Sequence, residues 1–448
     1  MHAKSQPTMD YPPGVQVPTF QGIQEAYKRL QPIVNRTPLL TSRTLNERAT
    51  QAFRLACQGQ GKDEGKTRIG QDGNDAQGKM DYQDVKIEVA LKCENFQRSK
   101  AFKYRGASNA LLKHIDKLRS GSDSNQDPKE LWVFTHSSGN FAQAIACSAK
   151  NLSTPSLLIH ATIIMPHTAP PSKRAGVIEY GAKVVGCENA KRAEVCEEEM
   201  SKARAEGKTV LFLPSYDHVD VIEGHGGLML EVETQCKSSS VWGQAGKPDV
   251  ILCPVGGGGL ISGVSLGAKG VYGDEMVVIG VEPSGADDTY RSLHTGEWQP
   301  AVNPTKTICD GLLTATGFLT LPTIKQNVNE IVLVDDEATI RAMRFVWERM
   351  KIIVEPSSAM TLAAILGQSS ISDSASTVWH RIVYDTLARR QQRRRERADH
   401  HHTRRTNEPD RRNTDQEEDD DKIFRACVIV GGGNVSFEKV FEWFRYHD

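Results

Sequence analysis

The sequence predicts an α/β protein with mainly parallel sheets, covering helices and two lobes. Three observations predict it. Short apolar runs alternate with amphipathic stretches along most of the chain, the rhythm of strand–helix–strand units. The turns after these runs are rich in Gly, Ser, Asn and acidic residues, and parallel sheets bind ligands where their strands end. The length, 448 residues, suffices for one large two-lobed unit.

Taken in order, Met1 to Phe20 has neither an apolar core nor an arginine, so no signal or transit peptide is expected. Gln58 to Lys79 carries six glycines, with only Ile69 and Ala76 as apolar side chains. It reads as a mobile, disordered insertion that cannot bury enough surface to fold. Leu131–Phe134 is a short apolar strand, followed by the turn Thr135–Asn140 and a helical run over Phe141–Lys150. Leu157–Met165, Lys183–Val185 and Thr209–Leu213 are further strands with amphipathic helices between them. Asp249–Val255 is a buried strand, Leu260–Val271 a helix and Met276–Val281 another strand. Ala388 to Asp421 holds ten Arg, ten acidic residues and His400-His401-His402, with its basic half first. It reads as a second solvated, disordered insertion. Nucleic-acid binding by its arginines, metal binding by its histidines and an error in the gene prediction are the weaker alternatives.

The formal net charge is −1, so nothing points to a polyanionic partner and no nucleic acid is expected. Nine cysteines are scattered singly, without C-x-x-C spacing. That fits reduced thiols in a cytoplasmic protein, not a disulfide frame or a zinc site. No apolar run approaches membrane-spanning length, so no membrane partner is expected.

Four segments carry chemistry. Gly256-Gly257-Gly258-Gly259-Leu260 follows a strand and opens a helix. Backbone N–H groups there converge on an anion, and the helix dipole favours negative charge. Consecutive glycines are costly unless a backbone must come close to something. No lysine follows as G-K-[ST], which disfavours a nucleoside-triphosphate loop. Ser137-Ser138-Gly139-Asn140 is a strand-to-helix turn and a good N-cap. Glu282-Pro283-Ser284-Gly285-Ala286-Asp287-Asp288 ends a strand. Its carboxylates repel one another unless a cation neutralises them, and oxygen ligands suit Mg²⁺ or Ca²⁺. An exposed acidic turn is the bland alternative. Phe102-Lys103-Tyr104-Arg105-Gly106 places a lysine directly after an aromatic residue.

Together with Val430-Gly431-Gly432-Gly433-Asn434, these residues resemble the motifs of the fold type II pyridoxal-phosphate enzymes. Within them the likeness is to the serine/threonine dehydratase family, which includes the serine racemases. It covers most of Phe20–Leu366 and Phe424–Asp448. The resemblance implies pyridoxal 5′-phosphate as a Schiff base on Lys103, its phosphate on Gly256, Gly257, Gly258, Gly259 and Leu260. It implies that Ser137, Ser138, Gly139 and Asn140 hold the substrate, with Asn140 also on the cofactor's phenolic oxygen. Ser215 stands where serine racemases have an Asn near the cofactor. Gly431 stands where the family has a serine on the pyridine nitrogen. Lys100-Ala101 replaces a common Gly-Ser, and Phe141 a common His. Glu282, Ala286 and Asp288 match a divalent-metal loop, so Mg²⁺ or Ca²⁺ is the second cofactor implied. The partners implied are an amino-acid substrate, a second copy in a homodimer and a nucleotide activator.

The expected chemistry is α-proton abstraction from a hydroxy amino acid, L-serine first. Lys103 is the base on one face of Cα and Ser138 on the other, which permits racemisation. Loss of a β-hydroxyl gives a 2-oxo acid and ammonia instead. A threonine or threo-3-hydroxyaspartate dehydratase with little racemisation is the alternative, and a cofactor-binding protein without turnover a third. Residues 1–127 and 215–448 are expected to form the large cofactor-binding lobe. Residues 128–214 are expected to form a small mobile lobe whose closure excludes water.

Overall fold

The computed structural model describes residues 6–60, 83–121, 129–238, 240–243, 246–367, 375–402 and 422–446. Their strands are β1 (Leu39–Thr41), β2 (Lys86–Cys93), β3 (Glu130–His136), β4 (Leu158–Pro166), β5 (Lys183–Cys187), β6 (Val210–Phe212), β7 (Val250–Pro254), β8 (Val277–Pro283), β9 (Glu330–Val334) and β10 (Ile423–Val430). One sheet runs β1-β2-β10-β7-β8-β9, parallel except for β1 at its edge. The other runs β5-β4-β3-β6 and is parallel throughout. The α/β class expected from the strand–helix rhythm is the observed one. Strands β3 to β8 fall on the predicted segments, with small shifts at their ends. No helix among the described residues is long and apolar enough to cross a membrane.

The last strand in sequence lies in the middle of the larger sheet. β10 pairs with β2 on one side and β7 on the other, Val428 beside Leu91 and Leu252. It is buried on both faces, from Phe424 to Val430. Parallel strands end on the same side. The segments after β2, β7, β8 and β10 therefore emerge together, and all of the motif residues of this lobe except Ser215 lie on them.

The charged segment after Ala388 departs from expectation. Helix Ala375–His402 runs through its first part, and residues 403–421 lie outside the described residues. Trp379, Val383 and Leu387, four residues apart, are buried and tie this helix to the core. Past them, Arg390 donates to the Ile423 carbonyl and pairs with Asp249. The charge count hid a helix that is anchored by its apolar start. The glycine-rich segment begins as the end of helix Arg43–Gln60, and residues 61–79 lie outside the described residues.

A buried charge cluster fixes the entry to helix Lys103–Gly121. Arg105 donates Nε to Glu94 Oε2 at 2.8 Å and NH1 to Glu231 Oε1 at 2.7 Å. Lys92 Nζ donates to Glu231 Oε2 at 2.6 Å and to the Thr37 carbonyl at 2.8 Å. All four side chains are at most 2% exposed. Burial works against the Glu94 carboxylate, but the Arg105 guanidinium outweighs it and holds the carboxyl below its ordinary range. Removing one partner from such a set leaves a buried charge uncompensated. Glu231→Gln is therefore expected to destabilise the protein by about 3–5 kcal/mol. Urea unfolding followed by circular dichroism checks this, and a loss below about 1 kcal/mol would contradict it.

Candidate active site

The turn before Lys103 is stitched to the segment after β10. Phe102 N donates to the Gly431 carbonyl at 2.9 Å, and Gly433 N to the Lys100 carbonyl at 3.0 Å. Lys100 has φ +62°, the left-handed region that a glycine adopts freely. Lys103 then opens its helix with Nζ donating to the Ser215 carbonyl at 2.7 Å. The ring of Phe102 lies 5.1 Å from Nζ and that of Phe141 5.7 Å. Burial lowers the Lys103 amine to about 8. A lysine in this state gives up its proton near neutral pH, as a base or nucleophile requires.

The glycine loop joins β7 to helix Gly259–Tyr272, with Gly258 at φ +86° as its cap. A side chain at Gly257 would meet the Tyr216 ring at 2.7 Å, and one at Gly256 the Leu312 Cα at 2.9 Å. The bare backbone is thus enforced on both sides. Thr320 Oγ1 donates to the Gly257 carbonyl at 2.8 Å, which fixes the loop from below. Leu260, in the first helical turn, is buried. Tyr216 follows Ser215, so the glycine loop and the Lys103 amine meet through one short segment.

Ser137, Ser138 and Gly139 form the half-buried turn before helix Asn140–Leu152. Asn140 Nδ2 donates to both Glu355 oxygens, at 2.9 and 3.1 Å, and its Oδ1 accepts from Asn434 Nδ2 at 2.9 Å. A side chain at Gly432 would meet Glu355 Oε1 at 2.8 Å. Glu355 is buried, and burial, only partly offset by Lys173, pushes its carboxyl up to about 7. Nearby, the buried Lys173 donates to Asp310 Oδ2 at 2.7 Å. The structure thus brings Lys103, Ser215, Asn140, Gly431 and the glycine loop into one crevice at the strand ends. Sequence reasoning assigns no role to Glu355. Its signal is an acidic residue directly before a proline that starts a helix, which reads as an ordinary N-terminus.

The acidic turn lies on the neighbouring strand. Glu282 accepts from the backbone of Thr289 at 3.1 Å and of Tyr290 at 2.8 Å. Asp288 is buried, and its Oδ2 has no partner among the described residues. Ala286 is buried beside them. Burial raises both carboxyls, and the charge of Asp288 adds to the rise at Glu282. Among the described residues no group of three His, Cys, Asp or Glu side chains converges. The turn offers two carboxylates and backbone carbonyls.

The family profile described as "Pyridoxal-phosphate dependent enzyme" matches residues 79–379. The chain belongs to this family. It is 36% identical to the serine racemase of Dictyostelium discoideum over 353 residues, 78% of this chain and 89% of that protein. It is 34% identical to the L-threo-3-hydroxyaspartate ammonia-lyase of Saccharomyces cerevisiae, over 78% of this chain and 88% of that protein. The structure of maize serine racemase aligns with a TM-score of 0.65 at 27% identity, covering 96% of this chain and 98% of that one. The residues present fit pyridoxal phosphate: an amine whose hydrogen bond among the described residues goes to a carbonyl, and a glycine cradle at a helix N-terminus. A serine at Gly431 would also fit, since its Cβ would meet only Phe102 at 3.4 Å and Pro254 at 3.8 Å.

Glu355 gives a pH signature. Its folded value, about 7, lies above its ordinary 4.5. The native carboxyl keeps a proton that the unfolded chain has released. Its stabilising contribution is therefore complete below about pH 4.5 and lost as pH rises through about 7. Denaturant titrations of the apoprotein across this range should show that decline, and Glu355→Gln should lack it. Identical pH profiles for the two proteins would contradict the assignment.

Proposed function

We propose that the protein is a serine racemase/dehydratase that takes the α-proton from L-serine or a related hydroxy amino acid. The observation that carries this is the Lys103 amine, half-buried beside two phenyl rings and bound to a carbonyl, with no acid partner among the described residues. The kinship with serine racemases and 3-hydroxyaspartate ammonia-lyases supports the substrate class. When bound, the cofactor supplies an electron sink for the bond broken at Cα. Lys103 would hold it, the backbone of Gly256–Gly259 and Leu260 would take its phosphate, and Asn140 would turn its amide from Glu355 to the phenolic oxygen. The Ser137–Asn140 turn receives the substrate carboxylate. Lys103 Nζ, once the substrate amine has displaced it, would take the α-proton on one face of Cα, and Ser138 Oγ would serve the opposite face. Return of the proton from the other side gives racemisation. Departure of the β-hydroxyl as water, followed by hydrolysis of the dehydrated amino acid, gives a 2-oxo acid and ammonia. Glu282, Asp288 and the Ala286 carbonyl take Mg²⁺ or Ca²⁺, supported by the buried, unpartnered Asp288 oxygen. A homodimer under nucleotide control, with the small lobe closing over the substrate, is the assembly this reading implies.

The decisive measurement compares Ser138→Ala on the two enantiomers of serine. D-serine formation from L-serine should be lost. Dehydration of L-serine should survive, because Lys103 still faces its α-proton, while dehydration of D-serine should fall. Similar losses on both enantiomers would leave Ser138 as a residue that only positions the substrate and would favour a simple dehydratase. Parallel assays with threo-3-hydroxyaspartate rank the substrates.

The metal reading has its own test. Chelation should lower activity and melting temperature together, and Mg²⁺ or Ca²⁺ should restore both, since a ligand of the folded state stabilises it by mass action. A melting temperature unmoved by chelation would reduce the loop to an acidic turn.

A further inference from the structure

His225 is a buried histidine for which the chemistry above has no use. It lies in helix Val219–Gly226, is 0% exposed, and neither ring nitrogen has a hydrogen-bond partner among the described residues. An unpaired buried polar group opposes folding. If the position needed only to be filled, an apolar side chain would serve better.

Its surroundings show what it touches. A Cβ at Gly106, one helical turn beyond Lys103, would meet the imidazole Cε1 at 2.4 Å. Gly224 packs as closely against the same helix, where a Cβ would meet the Arg105 carbonyl and the Gly106 Cα at 2.8 Å. The two helices therefore cross with only glycine between them, and the imidazole occupies the room Gly106 leaves. On its other side the imidazole meets the Phe102 ring edge to face, centroids 4.8 Å apart at 73°. An imidazole N–H can face a phenyl ring in such a contact, which an alkyl side chain cannot reproduce. Phe102 in turn reaches the crevice. Its ring is 5.1 Å from Lys103 Nζ and 3.4 Å from where a side chain at Gly431 would begin.

We propose that His225 is a positioning residue for Lys103, setting the tilt of Phe102 and the first turn of the lysine helix from behind. This rests on the reading that Lys103 carries the cofactor. The imidazole acts in its neutral form: burial, then the charges of Lys103 and Arg105, hold it well below its ordinary range.

The test uses the holoenzyme with His225→Leu, His225→Gln and Phe102→Leu. Borohydride reduction and peptide mapping first count the cofactor on Lys103. Induced circular dichroism per bound cofactor, the pH midpoint of its absorbance and the α-proton exchange rate of L-serine are then read. His225→Leu should change the dichroism and the midpoint and lower the exchange rate on the order of tenfold at similar KM. His225→Gln should recover most of each. In the Phe102→Leu background His225→Leu should add little, because coupled residues are not additive. Should His225→Leu not fold, His225→Phe, a ring without N–H, takes its place with the same expectations. A loss of melting temperature alone, with dichroism and midpoint as in the parent, overturns the proposal. So do equal effects in both backgrounds. A parent protein labelled on another lysine overturns the cofactor reading and this proposal together, before any His225 comparison.

Discussion

The active site depends on a contrast between two cations two residues apart. Arg105 is bound by two buried carboxylates, Glu94 and Glu231. Lys103 has a carbonyl and two aromatic rings. A guanidinium keeps its charge everywhere in the working range, so it can be buried permanently if it is paired on every side. An amine that must lose and regain a proton cannot be so paired, since a carboxylate at contact would hold the proton on. The cluster therefore fixes the helix through Arg105 and leaves Lys103 free to titrate. Lys92 and Glu94 at the end of β2, and Glu231 from helix Leu228–Cys236, all contribute, so the lysine is held relative to the centre of the larger sheet.

Around that anchor the crevice is made of backbone. The Lys100 and Phe102 peptides bond to the segment after β10, and the glycine loop is confined by Tyr216 and Leu312. Lys100 holds a positive φ that costs an ordinary side chain on the order of 1 kcal/mol. It pays off nowhere in side-chain contacts; the compensating gain is the bond from Gly433 N to its carbonyl. A glycine would hold this conformation without that cost.

Much of this was legible. The strand–helix rhythm located β3 to β8 because each is a local apolar run bounded by turn residues. The glycine loop and the Lys103 segment were legible because their chemistry is local as well. The rest depends on pairing between distant segments. β2 was not recognised: Lys86, Glu88 and Lys92 break its apolar run, and it takes the tertiary partners Glu231, Gln235 and the Thr37 carbonyl to make a buried Lys92 acceptable. The central place of β10 cannot be read from a strand that comes last. Glu355 and His225 look like a helix start and a helix interior until the neighbouring segments arrive. Helix Ala375–His402 was obscured by composition, since three apolar residues four apart outweigh the charges that follow them.

The contacts between the two sheets beside the candidate site are polar, which sets what parting them would cost. Asn140 and Lys173 belong to helices packed on the smaller sheet, and their partners Glu355, Asn434 and Asp310 to the body around the larger one. Near the site these are polar contacts, and water can replace each one when the sides part, so the net cost of opening is small. An apolar seam would behave differently, because separation would expose surface in proportion to its area. The apolar cores are in fact largely separate. One lies under the smaller sheet with Ile145, Ile159 and Ile163, and others on the two faces of the larger one. The lysine helix adds Ala107 and Leu111 to the core under the smaller sheet, while Phe102 just before it packs against a core of the larger one. Parting the amide and ion-pair contacts would leave each of these cores intact.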